Sequence, residues 1–587
     1  MSATPPFARA GWTYGGLALL VAVLWLGSLA ARPLFNPDEG RYAEIPREML
    51  AGGDWVVPHL NGVAYIEKPP LQYWATALSL WAFGQNEFAA RFYTAACALG
   101  TLAAVWWVAE ALWGRAAAWR AAAVLSGMLL FAVLGQLLTL DMSLTFYMTL
   151  ALAGFLRAQL PPAERTVPFS QAQTQTEEPP ARRGANRFGH PAKDIPTAPE
   201  SACAQRRWML LAWGATALGV LTKGLEAAAI PAAVLVLYSL YSRDWSAWRR
   251  TYVSRGLPLL LVLVVPWHWL AARRQPDFLQ FFFVHEQVSR YLTPSADREA
   301  PWWYFIAVFA LGSLPWTVSA LRVAAAGWRQ RGGPRQFEPR LFLWFWVAFV
   351  CVFFSLSDSK LIPYILPAMP ALALLIAALP AQVFHRDVLA TAVLTLLAAL
   401  ALAAAGAFGP RFIAATDRNA YFLLLARPLA QIAALLAVSG LFVLLQRRRD
   451  VTRAAVFLGV GWCLAGIMLM RAAAVVAPVY SGVVLARALG VVPRNARIFS
   501  VATYDQSLPF YSQRTLELVA YRGELDFGLR HDPGAEIPSV AAFVDEWQNI
   551  PYGYAVMEIA MFEDLRRRGV PLREMTRDVH RLLAARR

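Results

Sequence analysis

Cysteine is scarce in this sequence. The 587 residues include four cysteines, which are scattered as Cys97, Cys203, Cys351 and Cys463. Thiols so few and so widely dispersed predict neither a disulfide framework nor a cysteine metal site. The segment after residue 474 has none of them. We therefore expect that segment to be held together by packing alone.

Charge is also sparse, and it is not concentrated in one region. Charged residues make up 16% of the chain, and Lys and Arg outnumber Asp and Glu by 54 to 38. An excess of cations can indicate a nucleic-acid partner. Here the cations are spread over the loops between apolar runs, and no basic domain is formed. A nucleic-acid-binding protein is therefore not predicted.

Long apolar runs are abundant, since 58% of the residues are hydrophobic. Crossing the roughly 30 Å apolar layer of a bilayer takes about 20 residues of helix. Backbone groups cannot stay unpaired in lipid, so uninterrupted runs of this length indicate helices and not a barrel. The sequence predicts an α-helical polytopic membrane protein. No small-residue cleavage pattern follows the first run, which we expect to be a retained anchor.

The arginines between the apolar runs predict the topology. They fall in alternate loops, as the positive-inside rule requires, and this register gives about thirteen spans with the C-terminus outside. Pro69–Gly84 must then be an interfacial or re-entrant helix, because counting it as a span would invert every later loop. The predicted spans are Tyr14–Ala31, Phe88–Leu112, Ala117–Leu134, Met142–Phe155, Trp208–Leu221, Ala227–Tyr241, Leu257–Ala271, Trp302–Leu321, Leu341–Leu356, Leu361–Leu379, Val388–Phe408, Leu429–Leu445 and Ala454–Ala472.

Two parts of the chain have a different composition. Residues 161–201 are rich in Pro, Gln, Thr, Glu and Arg, and we interpret them as a disordered cytoplasmic loop within a membrane domain of residues 1–474. Residues 475–587 have the composition of a soluble domain, and we predict a small α/β domain outside the membrane. Its predicted strands are Arg497–Tyr504, Thr515–Ala520 and Tyr554–Ile559, and its predicted helices are Ser539–Gln548 and Met561–Arg568.

The predicted topology gathers acids, bases and cations on the outer side. A lipid transporter would instead bury ionisable residues in the middle of its spans, so we rank that interpretation low. An enzyme site at the outer membrane surface is the favoured interpretation. The outer residues are Asp38, Glu39, Glu44, Glu48, Asp54, Glu67, Lys68, Asp141, His285, Glu286, Arg290, Asp358 and Lys360.

Several of these residues also allow a purely structural interpretation. Asp38 can act as a base, hold a metal or stabilise a cation, but it can equally cap a helix that begins near Gly40. Asp141 lies between two helix ends and has the same alternative. Glu67 and Lys68 precede a double proline, and adjacent opposite charges in a loop are usually solvated.

The same ambiguity holds for two later segments. Glu286 and Arg290 are four residues apart and can form an ion pair on an interfacial helix. His285 can supply an imidazole ligand to a metal. Lys360 lies at the outer end of a predicted span, and Tyr364 lies about one turn into it. Lysines that extend their ammonium group to the water and tyrosines of the interfacial belt are common at such positions.

Taken together, the motifs resemble those of one enzyme family. They are Asn36-Pro-Asp-Glu-Gly-Arg-Tyr-Ala-Glu, Tyr65-Ile-Glu-Lys-Pro-Pro, Leu140-Asp, Thr222-Lys-Gly, His285-Glu-Gln-Val-Ser-Arg and Lys360-Leu-Ile-Pro-Tyr-Ile-Leu-Pro. In this order they resemble membrane glycosyltransferases of the GT-C class, and specifically the aminoarabinose transferase (ArnT) branch of the protein-mannosyltransferase-like superfamily.

This resemblance implies sugar transfer from a polyprenyl phosphate on the periplasmic side of the bacterial inner membrane. In the aminoarabinose branch the donor is undecaprenyl phosphate carrying 4-amino-4-deoxy-L-arabinose, the acceptor is a phosphate of lipid A, and we expect a monomer. A related transferase that moves another sugar to lipid A or to protein Ser or Thr is the nearest alternative. In that case Asp38 would be a general base, because a hydroxyl must lose its proton.

The resemblance also implies the catalytic residues. Asp38 matches the main catalytic carboxylate of the family, and Asp141 and Glu67 match residues of the active cavity. Glu67 and His285 match positions that could bind a divalent metal such as zinc. These three carboxylates and one imidazole are therefore expected at one site.

The donor site is implied in the same way. Lys68 and Arg290 match residues that hold the donor phosphate, and Tyr65 and Tyr364 match residues that line the groove for the lipid. We count Lys360 with this donor-binding set. All five positions are expected on the outer side of the membrane.

Overall fold

The computed structural model describes residues 6–160, 202–289, 300–327, 337–412, 420–421, 423–446, 450–493 and 495–586. The predicted cytoplasmic loop at 161–201 and the predicted donor-binding residue Arg290 lie outside these ranges. The prediction of a flexible loop and the role of Arg290 therefore stay predictions.

Helices make up most of the chain before the C-terminal domain. The first eight are α1 (Pro6–Gly27), α2 (Asp38–Gly52), α3 (Leu71–Phe83), α4 (Glu87–Gly127), α5 (Leu129–Leu134), α6 (Leu140–Ala158), α7 (Ala202–Thr222) and α8 (Glu226–Ser242). The later helices of this region are Ser246–Arg249, Val253–Arg274, Gln280–Ser289 (a π-helix), Tyr304–Gly312, Thr317–Gly327, Pro339–Ser355, Ile362–Ile365 (a 3₁₀ turn), Ala368–Ala377, Ala381–Phe408, Ala426–Leu445, Val451–Ala472, Ala477–Tyr480 and Val483–Leu489.

The helices confirm a multi-pass membrane protein. Every predicted span lies on one helix or on two consecutive helices. Two predicted spans are joined in the 41-residue α4, which is interrupted at Gly114, where φ is 83°. Among the described residues, the helices long and apolar enough to cross a membrane by themselves are Glu87–Gly127, Val253–Arg274, Ala381–Arg411, Ala426–Leu445 and Val451–Tyr480.

The segment predicted to lie at the membrane interface is a short helix. After the double proline, α3 has 13 residues, which at about 1.5 Å of rise per residue is shorter than the apolar layer. It packs against α2, which has 15 residues and is polar on average. These two helices and the hairpin of β1 (His59–Leu60) and β2 (Val63–Ala64) form a layer, which packs on α4 through α3.

The C-terminal domain is α/β, as predicted. Its six-stranded sheet has the order β5-β4-β3-β6-β8-β7, in which the first four strands are parallel and β8 runs antiparallel to both of its neighbours, β6 and β7. The predicted strands and helices are all present, whereas β5, β7 and β8 were not predicted. The strands are β3 (Ile498–Val501), β4 (Glu517–Val519), β5 (Glu536–Ile537), β6 (Tyr554–Glu558), β7 (Leu572–Arg577) and β8 (Arg581–Arg586), and the helices are Leu508–Ser512, Asp526–His531, Val540–Asn549 and Ile559–Arg567.

The C-terminal domain is fixed directly to the layer that contains α2. The backbone N–H of Asn36 donates to the carbonyl of Tyr480 (2.8 Å), and its side-chain oxygen accepts from the N–H of Ser507 (2.9 Å). Asn61 of the hairpin donates to and accepts from the backbone of Leu516, each at 2.8 Å. One hydrophobic core includes residues of both regions. The C-terminal domain therefore helps to hold α2 in place.

Gly40 is the closest point of this contact. A Cβ at Gly40 would lie 2.5 Å from the backbone nitrogen of Ser507, so a side chain there forces backbone to move. We expect Gly40→Ala to lower the free energy of unfolding by about 1–3 kcal/mol, the usual cost of overpacking. Thermal unfolding of the purified protein in detergent measures this change. Gly52→Ala at the other end of α2 is the matched control, since nothing lies within 4 Å of its added Cβ. Equal melting temperatures for the two variants would contradict the tight contact.

Candidate active site

A cavity of about 390 Å³ opens where α2, the loop before α6 and the turn between α7 and α8 meet. Its wall combines carboxylates, cations, hydroxyls and aromatic rings. The residues that line it are Asp38, Arg41, Tyr42, Glu67, Lys68, Thr139, Leu140, Asp141, Lys223, Leu225, Glu226, Ala229, Glu286, Phe353, Phe354, Ser357, Ser359, Leu361 and Tyr364.

Asp38 presents its carboxylate to this cavity. The helix α2 begins at Asp38 itself and its N-cap is Pro37, so Asp38 does not cap a helix that begins near Gly40. Its side chain is 45% exposed, and one carboxylate oxygen lies 3.5 Å from a guanidinium nitrogen of Arg41. Acidic residues in the first turn also suit the positive end of the helix dipole. The carboxylate is thus accessible to a ligand.

Arg41 joins the cavity to the C-terminal domain. Its guanidinium is buried and makes an ion pair with Glu524, which comes from the C-terminal domain. It also lies over the ring of Tyr65, 5.9 Å from the ring centroid. Arg41 is three residues after Asp38, one turn further along α2. The C-terminal domain therefore fixes the cation that faces Asp38.

Asp141 and Lys223 form a second charged pair in the wall. The ammonium of Lys223 donates to Asp141 (2.7 Å), lies 3.6 Å from Glu226 and sits 4.6 Å above the ring of Tyr364. Burial alone would lower the pKa of Lys223, but Asp141 and Glu226 outweigh it and raise the pKa above its usual value. The two carboxylates therefore favour the charged form of Lys223. The carboxylate of Asp141 serves this contact, although the residue lies in the first turn of α6.

Lys68 forms a third pair, with Glu286. The two side chains are 2.8 Å apart, and both are largely buried. Lys68 immediately precedes the double proline that leads into α3, whereas Glu286 belongs to the π-helix Gln280–Ser289. The predicted partner of Glu286 was Arg290, which lies outside the described residues. Glu286 holds the predicted phosphate-binding lysine at the cavity wall, and its predicted pairing with Arg290 stays a prediction.

Glu39, next to Asp38 in sequence, is buried away from the cavity. It accepts hydrogen bonds from Arg32 and Arg91, and from the backbone N–H groups of Phe35 and Leu138, each at 3.0 Å. Burial would raise the pKa of Glu39, but the two guanidinium groups outweigh it and hold the pKa well below its usual value. Glu39 is thus an ionised structural anchor that ties α2 to α4 and to the loop before α6.

Known families match both ends of the chain. Residues 12–176 match the dolichyl-phosphate-mannose-protein mannosyltransferase family, and residues 486–586 match the aminoarabinose transferase C-terminal domain. A curated relative from Sodalis glossinidius, undecaprenyl phosphate-alpha-4-amino-4-deoxy-L-arabinose arabinosyl transferase 1, is 36% identical over 375 residues. That alignment covers 63% of this chain and 59% of the relative.

Solved structures match the whole chain. The crystal structure of ArnT from Cupriavidus metallidurans bound to undecaprenyl phosphate superposes with a TM-score of 0.84 and is 30% identical, with 98% of each chain covered. The chain belongs to the ArnT family. The apo structure of the same ArnT gives a TM-score of 0.83 at 29% identity, with 98% of each chain covered. The resemblance drawn from the sequence motifs is confirmed.

The structure brings most of the predicted ArnT-type site residues to one cavity. Asp38, Glu67, Lys68, Asp141 and Tyr364 all line it. Their catalytic and donor-binding roles stay predictions, because a shared cavity shows proximity and not chemistry. These five residues lie close together, as expected if they all face the outer side of the membrane.

Two predicted donor-binding residues do not line this cavity. The side chain of Tyr65 is buried, and its hydroxyl has no hydrogen-bond partner among the described residues. Its ring lies 5.9 Å from the guanidinium of Arg41, which does line the cavity. Lys360 donates to the backbone carbonyl of Ser357 (2.7 Å), which holds its ammonium near the end of the helix Pro339–Ser355.

The predicted metal pair lies beside a second cavity. This cavity, of about 580 Å³, is lined by Glu67, His285 and Glu286 together with residues of the helix Asp526–His531. The ring of His285 stacks on Phe281 at 5.2 Å, and its Nδ1 lies 3.6 Å from Glu286. A zinc site usually needs three or four protein ligands. The described ranges contain no group of three His, Cys, Asp or Glu side chains placed to hold a metal ion.

The sequence interpretation gave no role to three charged residues of the cavity wall. Lys223 and Glu226 lie in the turn between two predicted spans, and the arginine register places that turn on the outer side, so they could have been found. Arg41 lies within the first motif, but its role depends on Glu524, 483 residues later. No local pattern indicates that pairing.

Proposed function

We propose that this protein transfers 4-amino-4-deoxy-L-arabinose from undecaprenyl phosphate to a phosphate of lipid A. The observation that carries the proposal is the cavity in which Lys68, Lys223 and Arg41 face Asp38 and Asp141. Its family membership supports the donor, since ArnT from Cupriavidus metallidurans binds undecaprenyl phosphate. The related proteins from Sodalis and other bacteria carry the name of this activity.

The charges suit each step of such a transfer. An oxygen of the acceptor phosphate forms a bond to the anomeric carbon, and the bond from that carbon to the donor phosphate oxygen breaks. The leaving undecaprenyl phosphate takes the bonding electrons and gains negative charge, which Lys68 and Lys223 would stabilise in a site shielded from bulk water. The acceptor phosphate is already ionised, since its second pKa is about 6, so it needs little help from a base.

Asp38 then has a different task from that of a general base. Glycosyl transfer passes through a transition state with positive charge at the anomeric carbon. A carboxylate that is open to the cavity and only 3.5 Å from Arg41 can support that charge or orient the acceptor. The aromatic residues Phe353, Phe354 and Tyr364 in the same wall offer apolar surface to the lipid chain.

The proposal includes the membrane orientation, with the cavity and the C-terminal domain on the periplasmic side of the inner membrane. It is supported by the arginines on the opposite loops, as the positive-inside rule requires. We also propose that the protein acts as a monomer. A divalent metal at Glu67 and His285 stays a prediction, and no step above depends on it.

The proposed reaction is tested with defined substrates. The purified protein is incubated with lipid A and undecaprenyl phosphate carrying aminoarabinose, or carrying a different sugar such as galactosamine. We expect lipid A with an added aminopentose by mass spectrometry, and turnover with the aminoarabinose donor only. Lipid A from cells with and without the gene provides the second readout. Unchanged lipid A together with underglycosylated proteins in cells without the gene would favour the alternative transfer to Ser or Thr.

A further inference from the structure

Two hydroxyl groups in the cavity wall have no partner within the protein. The side chains of Thr139 and Ser359 are each 7% exposed, and neither oxygen has a hydrogen-bond partner among the described residues. Both residues line the cavity that contains Asp38 and Asp141. They come from distant parts of the chain, one from the loop before α6 and the other from the loop after the helix Pro339–Ser355.

Neighbouring hydroxyls in the same elements are bonded. In α6, Thr145 donates to the carbonyl of Asp141 (2.7 Å) and Thr149 donates to the carbonyl of Thr145 (2.6 Å). Thr139 occupies the N-cap position of α6 with an extended backbone, where threonine usually accepts from a free N–H of the first turn. Its hydroxyl makes no such bond. The hydroxyl of Thr139 is therefore not used to stabilise its own helix.

A buried hydroxyl without a partner is unfavourable, and most buried polar groups in native proteins have a partner in the protein or in ordered water. At the wall of a cavity, a bound ligand can supply the partner that the protein does not. A hydroxyl both donates and accepts, and so does each hydroxyl of a sugar. A phosphate is served better by cations, which the cavity supplies elsewhere as Lys68, Lys223 and Arg41. A polyprenyl chain offers no hydrogen bond at all. Of the chemical groups in the proposed donor, the sugar matches these two residues.

We propose that Thr139 and Ser359 bind the hydroxyl groups of the transferred sugar. This inference rests on the proposed function and extends it by assigning a sugar subsite. The subsite lies next to the Asp141–Lys223 pair, because Thr139 is two residues before Asp141. The two residues discriminate between donors by the positions of their hydroxyls, whereas the cations bind the phosphate that every such donor shares.

The test separates sugar binding from phosphate binding. Thr139→Val and Ser359→Ala each remove one hydroxyl with little change in volume. For either variant we expect kcat/KM for the aminoarabinose donor to fall about three- to tenfold, as for one neutral hydrogen bond. The inhibition constant of sugar-free undecaprenyl phosphate should stay within about twofold of that of the unsubstituted protein, because no phosphate contact is removed.

Donor analogues identify the contact. Donors that lack the 2-hydroxyl or the 3-hydroxyl should be poorer substrates of the unsubstituted protein, and the penalty for one of them should shrink in each variant. Thr149→Val is the matched control, since this buried threonine on α6 bonds only its own helix backbone, and its kinetic constants should not change. Inhibition by undecaprenyl phosphate also shows that each variant is folded.

The other outcomes overturn the inference. Equal losses for the donor and for undecaprenyl phosphate would mean that the hydroxyls act through the phosphate site or through the fold. Unchanged kinetics in both variants would mean that water alone satisfies them. Absence of product from the unsubstituted protein would instead refute the proposed function, and this inference with it.

Discussion

Asp38→Asn is expected to abolish sugar transfer while leaving the protein folded. The substitution keeps the shape of the side chain and removes its negative charge. Asp38 is 45% exposed to the cavity, and its only ion-pair contact among the described residues is 3.5 Å from Arg41. Loss of one preorganised group that stabilises transition-state charge typically lowers kcat by about 10²- to 10³-fold. Stability should change by less than about 0.5 kcal/mol, as for most substitutions of exposed residues.

The measurement is turnover with the aminoarabinose donor, combined with donor binding and thermal unfolding of the same preparation. We expect kcat to fall and donor affinity to stay near that of the unsubstituted protein. Asp545→Asn is the matched control, because Asp545 is exposed on a helix of the C-terminal domain and does not line the cavity. Full activity of Asp38→Asn would remove this residue from the proposed chemistry.

Glu39→Gln is expected to have the opposite effect and to destabilise the fold. The charge of Glu39 compensates two buried guanidinium groups, those of Arg32 and Arg91, and its side chain is 3% exposed. Removing one partner of a buried ion pair costs about 3–5 kcal/mol, since an uncompensated charge is left behind. The amide also cannot accept all the hydrogen bonds that the carboxylate accepts from Phe35 and Leu138.

This loss is measured as a lower melting temperature in detergent and as a lower yield of folded protein from membranes. Glu558→Gln is the control, because Glu558 is exposed at the end of β6. We therefore expect the two neighbouring substitutions to have different effects. Asp38→Asn lowers activity, whereas Glu39→Gln lowers stability. A Glu39→Gln protein with normal melting but no turnover would instead place Glu39 in the chemistry.

The membrane architecture could be predicted because length and polarity decide it. Apolar runs of about 20 residues have few alternatives in lipid. The arginine register predicts an interfacial or re-entrant helix at Pro69–Gly84, where the structure has the 13-residue helix α3. The strands β7 and β8 were missed because local sequence does not mark them. LREMTR in β7 has three charged residues and no regular apolar alternation, and RLLAAR in β8 has a short apolar run that a helix could equally form. In the structure β8 pairs with β6 and with β7. These pairings depend on the packing of the whole domain and not on local composition.

The residues of the site could be predicted from the sequence, but the contacts between their side chains could not. Topology alone placed Asp38, Lys68 and Asp141 on one side of the membrane. It could not show that Lys68 meets Glu286 or that Asp141 meets Lys223, because these contacts join residues 218 and 82 positions apart. Such pairings depend on how helices pack, which neither periodicity nor spacing encodes.

The contact between Arg41 and Glu524 has a consequence for biosynthesis. Arg41 is made early, and Glu524 is made 483 residues later. Until the last domain has been synthesised and has docked, the buried guanidinium on α2 lacks its ion pair with Glu524, and the wall beside Asp38 is incomplete. A chain that stops short of Glu524 would therefore be inactive even with every membrane helix inserted.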